Sequence, residues 1–340
     1  MITDPVHPPA AAQTATGRAP NLEAALRNAA SRAVLAPSIH NSQPWRFVVR
    51  PNALDIYADR SRTTPVIDPT RRQMAIGCGA ALFGARAAIA ADQLDAVTTL
   101  LPDPAQPDLL ASITVIGPAP TLDRDAFRLD AVAESRHSNR RQFAAEPVPD
   151  DVLDVLSHAA QVEGAWLQPI RSEADRVAVA VISQHADALQ NADPAYRSEL
   201  RHWTTADADR ADGVPAGAVP HVTGASHDDV PIRDFDTKGA GALPGDTQSS
   251  GNQTMVVLGT AGDGMRDWLI AGQALGRVLL ELTDAGLVSS IMSQVVESPG
   301  TRQQLRSDLR LNGHPHLMLR IGTAAPTPPT PRRPMSEVLA

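Results

Sequence analysis

Apolar side chains recur along this chain with two different periods. Leu22, Ala25, Leu26, Ala29 and Ala33 keep the 3–4 spacing of one helix face, which predicts a helix over residues 21–34. Arg46 to Val49 and Leu54 to Ala58 are short strand-like runs joined by Pro51-Asn52, the pattern of a hairpin and its turn. Met74 to Leu94 is a long alanine-rich apolar stretch and predicts a buried helix, and Leu110 to Ile116, ended by Gly117-Pro118, predicts a strand. Pro149-Asp150-Asp151 reads as one helix start, and Asp193-Pro194 as the N-cap and first residue of a helix through Leu200 and Trp203. Leu317 to Ile321, followed by Gly322, predicts a last strand.

Parts of this pattern occur twice. Leu156, Ala159 and Ala160 sit as Leu26, Ala29 and Ala30 do, and Gly272, Ala274, Leu275 and Leu287 repeat the spacing of Gly79, Ala81, Leu82 and Leu94. One reading is two copies of a helix–strand–helix–strand unit, a fused pseudo-dimer with its long helices packed at the centre. The other is chance matching in an alanine-rich chain. The first reading divides the chain into a loose Pro/Ala-rich arm at 1–20, a first half at 21–130 and a second half at 131–340. Residues 204–253 carry many Gly, Asp, Pro and Thr and few large apolar side chains. A structureless insertion of that length is either a functional lid or disorder, and Ile232 and Phe235 are its candidate anchors.

Composition narrows the function classes. The 340 residues suffice for about two domains, and 43% hydrophobic with 20% charged residues leaves room for a core. The net charge of −8 argues against a nucleic-acid surface. Lys238 is the one lysine and Gly239 follows it, so a P-loop is excluded, and its polar, glycine-rich surroundings do not suit a Schiff base. With Cys78 alone, neither an internal disulfide nor a cysteine metal knuckle can form. The first residues lack a basic and an apolar signal region, and Met74 to Ala91 carries Arg86 among many small residues. No membrane partner is therefore expected, and the cytoplasm is the default compartment. Gly77-x-Gly79-x-x-Leu82 does not follow a strand and reads as helix packing; His314-Pro315-His316 lacks supporting ligands and reads as solvent-facing or capping histidines.

Three short stretches can carry chemistry. Arg136-His137-Ser138-Asn139-Arg140-Arg141 concentrates guanidinium forks, a hydroxyl and an imidazole, either an anion cradle or a solvated basic turn. Pro326 to Pro334 holds Arg332 and Arg333 on a proline-stiffened path, either delivery of a guanidinium to a distant site or a floppy tail. Pro37-Ser38-Ile39-His40-Asn41-Ser42-Gln43-Pro44-Trp45 offers amide and hydroxyl groups that suit a heteroaromatic ring, or a turn anchored by Trp45.

Asn41-Ser42-Gln43-Pro44-Trp45 with Pro37-Ser38 resembles the flavin-contacting loop of FMN-dependent nitroreductases, and Arg136 to Arg140 resembles their Arg-x-Ser-x-Arg/Lys phosphate motif. Gly313-His314-Pro315 to Arg332-Arg333-Pro334 is similar to their C-terminal end. Leu35 to Trp45, the Trp203 helix with Asp212-Gly213-Val214-Pro215, and Arg233-Asp234-Phe235 point to the actinobacterial Acg-like branch. The likeness spans most of 21–340. It implies an α+β nitroreductase-like fold of two fused pseudo-symmetric halves mimicking a nitroreductase dimer. The order of the motifs, loop in the first half and phosphate motif in the second, implies one composite FMN site per chain, because the second half has only Gly164 to Pro169 where the loop would recur.

By this resemblance Arg136, Ser138 and Arg140, with Arg332 or Arg333 and with His137 nearby, would hold the phosphate. Ser38, His40, Asn41 and Gln43 would meet the flavin or ribityl chain, and Ser289, Ser290 or Ile291 would present a backbone amide near the flavin N5. The implied activity is NAD(P)H-dependent reduction of nitro compounds or quinones, with NAD(P)H and a small aromatic acceptor as partners and a monomer in place of the usual dimer. Where the family often has a lysine beside the flavin pyrimidine edge or ribityl chain, either arginine serves here or nothing does. A closed lid formed by 204–253 over the flavin would block NAD(P)H and substrate and implies the alternative, an FMN store used under stress without turnover.

Overall fold

The structure is a computed structural model and describes residues 21–205, 207, 209–221, 230–231, 233–236, 239–244 and 253–340. Helix α1 (Leu22–Ala33) starts where the Asn21 side chain accepts from the Ala24 amide, and it buries Leu26, Ala29, Ala30 and Ala33, the predicted face. Strands β1 (Trp45–Arg50) and β2 (Ala53–Ala58) form the predicted hairpin. Helix α2 (Arg72–Ala91) is buried along most of its length. It ends earlier than the apolar pattern suggests: Gln93 turns left-handed at φ 57°, and Leu94 opens β3 (Leu94–Leu100). Leu94 satisfies both periods, and the β-branched run Val97-Thr98-Thr99 decides for the strand.

Strand β4 (Leu109–Pro118) and helix α3 (Arg124–Ala131) complete this part. Then come α4 (Asp150–Val162), β5 (Trp166–Pro169), α5 (Glu173–Ala192) and α6 (Pro194–Trp203), the last capped by Asp193 with Pro194 in its first turn as the sequence predicts. A short parallel pair, β6 (Thr204–Thr205) and β7 (Val214–Pro215), precedes β8 (Thr254–Thr260), α7 (Met265–Asp284), β9 (Val288–Ile291), α8 (Gln294–Glu297), α9 (Pro299–Asp308), β10 (His314–Gly322) and α10 (Met335–Val338).

Both main sheets are antiparallel and have four strands, ordered β1-β2-β4-β3 and β5-β8-β10-β9. In each, a helix precedes the first strand and the long helix follows the second, so element order and strand order recur together. The long helices α2 and α7 pack on each other between the sheets. Leu269 of α7 enters the core of the first sheet, and Ile76 of α2 enters that of the second. They cross at Gly79 and Gly272: a Cβ on Gly272 would collide with the Ile76 carbonyl and lie 2.7 Å from Gly79 Cα. Gly79 therefore belongs to helix packing, as its sequence context predicts. By length and composition α2 could cross a membrane, but it lies inside the molecule.

His316 corrects one expectation, because it is fully buried on β10 and neither faces solvent nor caps a helix. Thr260 Oγ1 donates to the Gly262 carbonyl (2.9 Å) and accepts from His316 Nε2 (2.6 Å). His316 Nδ1 accepts from Arg302 (3.2 Å), which Asp263 grips through both oxygens (2.7 and 2.8 Å). Burial, then Arg302 and Arg72, push the His316 pKa down to about 3, against the opposing pull of Asp263. The folded state therefore resists protonation while the unfolded chain accepts a proton near pH 6.5. This contribution, on the order of a few kcal/mol, is complete above about pH 6.5 and is lost progressively as pH falls toward 3. Urea midpoints at pH 7 and pH 4.5 should fall more for the parent than for His316→Asn; equal losses would refute the assignment.

Candidate functional site

A cavity with about 1020 Å3 of free space, part of it open to solvent, lies where the two sheet-and-helix units meet. Its walls come from loop 37–41, Gln73, Ile76 and Gly77 of α2, Leu275 of α7, the run Ser290 to Gln294, Leu317 of β10, and side chains of three further segments far apart in sequence. Among the described residues no His/Cys/Asp/Glu group could hold a metal ion.

The loop after α1 is unusually constrained. His40, Asn41 and Gln43 have φ of 50°, 54° and 50°, the left-handed region that non-glycine residues seldom occupy, and asparagine tolerates it best. Such conformations persist only where surrounding structure enforces them. Here the Asn41 amide donates to the Gly213 and Pro331 carbonyls (both 3.0 Å), and its oxygen accepts from Arg332 (3.2 Å). Gln43, fully buried, donates its side-chain amide to the Ala211 carbonyl (2.9 Å) and its backbone N–H to Ser38 Oγ (2.9 Å), and its side-chain oxygen accepts from the Arg333 amide (2.8 Å). Ser38, His40 and Asn41 line the cavity. Gln43 does not; it ties three segments together behind the wall.

The arginine motif is held by a residue that the sequence reading left as a spacer. Asn139 donates its backbone NH to the Ser289 carbonyl (2.8 Å) and its amide to the Ala325 carbonyl (2.8 Å), and it accepts from the Arg141 amide (2.9 Å). That lays Arg136, Ser138 and Arg140 along the cavity. Arg136 and Arg332 converge on one oxygen, the Leu35 carbonyl, at 2.9 and 3.1 Å. Arg136 Nη1 and Arg332 Nε are buried and have no hydrogen-bond partner among the described residues. Arg140 lies 4.7 Å above the Phe235 ring.

None of Arg136, Arg140 and Arg332 has a carboxylate within salt-bridge distance among the described residues. Burial lowers the pKa of Arg136 and Arg140 to about 10 and of Arg332 to about 9; Arg233 adds to the effect on Arg140, and Arg136 to that on Arg332. The cations thus form two groups, Arg136 with Arg332 and Arg140 with Arg233. Desolvated cations without counter-charge are costly, on the order of several kcal/mol each, and a bound anion offsets that.

Besides Gln43, three expected residues stand apart from the lining. Arg333 turns away from it, with contacts to the Gln43 carbonyl (3.3 Å), Glu337 (3.2 Å) and Asp59 (3.7 Å). His137 is half-buried outside the lining, its pKa lowered by burial and then by Arg136 and Arg332. The Ser289 carbonyl is used by Asn139, whereas Ser290 and Ile291 line the space.

The insertion contributes Val214, Arg233 and Phe235 to the wall. Arg233 is a site residue that the sequence showed only as part of Arg233-Asp234-Phe235. Its guanidinium pairs with Glu297 at 2.5 Å, with 6% and 2% of the two side chains exposed, and donates to Tyr196 Oη at 3.0 Å. Asp212 bridges Arg62 and Arg210, which flank Trp203 at 5.6 and 5.7 Å. Gly213 beside it has φ 76°, and a Cβ there would come 2.8 Å from the Trp203 carbonyl, so only glycine fits without strain. These described residues are fixed by specific contacts and are not structureless. Of the two expected anchors Phe235 packs near Ile67, Tyr196 and Leu200, and Ile232 lies outside the described residues.

Similar proteins fit this picture. No protein-family model matches the chain. "Uncharacterized protein Rv3127" of Mycobacterium tuberculosis is 32% identical over 92% of both chains. From the same organism, "Putative NAD(P)H nitroreductase Rv3131" is 32% identical over 92% of this chain and 90% of the relative, and "Putative NAD(P)H nitroreductase acg" is 30% identical over 92% and 94%. Among solved structures, the FMN-dependent nitroreductase NfnB from Mycobacterium smegmatis in complex with NADPH is 16% identical, covering 64% of this chain and 97% of its own, with a TM-score of 0.37.

Proposed function

Because this chain belongs to the family of Acg-like NAD(P)H nitroreductases, we propose that it binds one FMN in this cavity and acts as an NAD(P)H-dependent oxidoreductase on nitro compounds or quinones. The observation that carries the reading is the convergence of Arg136, Arg140 and Arg332, desolvated and without carboxylates, on one cavity that the flavin-type loop also lines. Arg136 Nη1 and Arg332 Nε, unpartnered among the described residues, are donors suited to anionic oxygens, so the residues present suit a phosphate.

Arg136 and Arg332 would hold the phosphate, with the Ser138 hydroxyl beside them. Arg140 is grouped with Arg233 and Phe235 and would face the ring system, in the role a lysine often takes. Bound there, FMN would supply hydride acceptance and donation, and the protein would position it and exclude water. Residues 21–130 and 131–340 would act as fused counterparts of two subunits, a reading supported by their common strand order. One FMN per chain follows, since the loop and the arginine motif each occur once.

The second reading, an FMN store without turnover, is favoured by one observation: Val214, Arg233 and Phe235 of the insertion form part of the wall. Anaerobic stopped-flow mixing with NADPH separates the two. Rapid bleaching of yellow protein is the expected result. Stoichiometric FMN that stays oxidised would favour the store, and a colourless protein that takes up no added FMN would overturn both.

A further inference from the structure

Resting on the FMN reading, we infer that His40 is a neutral hydrogen-bond donor that presents Nδ1–H to an acceptor atom of the bound ring, with Arg233 and Glu297 as the positioning residues that fix this tautomer. The argument starts from the guanidinium, which carries donors and no acceptor. Arg233 Nη1 lies 3.4 Å from His40 Nε2, so Nε2 must offer its lone pair. A neutral imidazole that accepts at Nε2 carries its proton on Nδ1. His40 Nδ1 is buried and has no partner among the described residues, although the ring lines the cavity.

The ring is held on every side the structure describes. Its backbone is left-handed, and Phe235 meets it edge-on at 5.7 Å and 82°. Arg233 cannot swing away, because Glu297 (2.5 Å), Tyr196 Oη (3.0 Å) and Ser293 Oγ (3.4 Å) hold it. Protonation of His40 is opposed first by burial, then by Arg233 and Arg140, which keep its pKa well below the ordinary value. An orphaned buried N–H is costly, and the loss is recovered only when an acceptor arrives. At this end of the cavity the Arg140 and Arg233 guanidiniums and the His40 N–H are donors, and the Ser293 hydroxyl, which accepts from Arg233, keeps its own O–H to donate. The matching ligand edge is therefore rich in acceptors, a carbonyl or an unprotonated ring nitrogen, and a donor group placed there would be rejected.

The test is histidine-selective nitrogen-15 NMR of the whole protein, first without flavin and then during titration with FMN. The Nδ1–H tautomer is expected in both states, unchanged across roughly pH 5–8, where an exposed histidine titrates. Saturating FMN should shift the His40 Nδ1 resonance. Glu297→Gln, which loosens Arg233, should return His40 to a mixture of tautomers. His40→Ala should weaken FMN binding about 5- to 10-fold, the worth of one hydrogen bond, and His40→Asn, which restores an N–H donor and tolerates the left-handed backbone, should recover part of it. An Nε2–H tautomer, ordinary titration, or FMN that binds without moving Nδ1 would overturn this inference alone. If FMN does not bind at all, the proposed function fails first, and the inference about its acceptor edge falls with it.

Discussion

Arg136→Met combined with Arg332→Met should yield a colourless protein that unfolds at a higher temperature than the flavin-free parent. The two effects have one cause. In the parent, burial desolvates both guanidiniums, which crowd the Leu35 carbonyl; Arg136 further lowers the pKa of Arg332, and neither finds a carboxylate among the described residues. A buried unpaired cation costs on the order of several kcal/mol, so an apolar chain of similar length relieves the empty site. The same change removes charge-assisted bonds to phosphate of about 1.5–3 kcal/mol each, and the FMN dissociation constant should rise roughly 10²- to 10⁴-fold. Thermal melts with and without FMN measure both signs. Added inorganic phosphate should raise the melting temperature of the parent and leave the variant unmoved. Retained stoichiometric flavin in the variant would sink the phosphate assignment.

Gly272→Ala should be among the most damaging single-methyl additions at the described glycines. The new Cβ would enter the Ile76 carbonyl and the Gly79 backbone, neither of which can rotate away as a side chain could. Overpacking a core typically costs about 1–3 kcal/mol, and a clash with backbone places this change at or above the upper end. Separating α2 from α7 also displaces Leu269 and Ile76, each of which fills the core of the opposite unit, and widens the cavity lined by Ile76, Gly77 and Leu275. Chemical denaturation should show a loss of at least about 3 kcal/mol together with weaker flavin retention. Gly286→Ala, where a Cβ meets open space but φ is 71°, is the control for backbone strain alone. Similar losses in both variants would contradict the helix-crossing account.

Local order was legible wherever one period or one cap dominated. The face of α1, the β1–β2 hairpin and the Asp193-Pro194 start of α6 follow from spacing and capping chemistry that act within a few residues. The end of α2 was not, because Leu94 fits a helix face and a strand equally well and the left-handed Gln93 leaves no distinctive signature. His316 was misplaced for a related reason. Its burial depends on Thr260 and Arg302, and neither partner is adjacent to it in sequence.

At the site, the sequence by itself determined which chemistry is available. It supplied a hydroxyl–imidazole–amide loop, an arginine-rich motif, a second arginine pair on proline-stiffened chain, and a single lysine, Lys238. Only the tertiary structure decided how these groups are used. Arg332 enters the cavity while its neighbour Arg333 turns to Asp59 and Glu337, Gln43 becomes a brace behind the wall, and Arg233 arrives from an insertion whose composition left a lid and disorder as alternatives. The physical reason is that a side chain's type sets what it can bond, whereas its direction and its counter-charges come from segments far along the chain, and those meet only when α2 and α7 close the two sheets around the cavity.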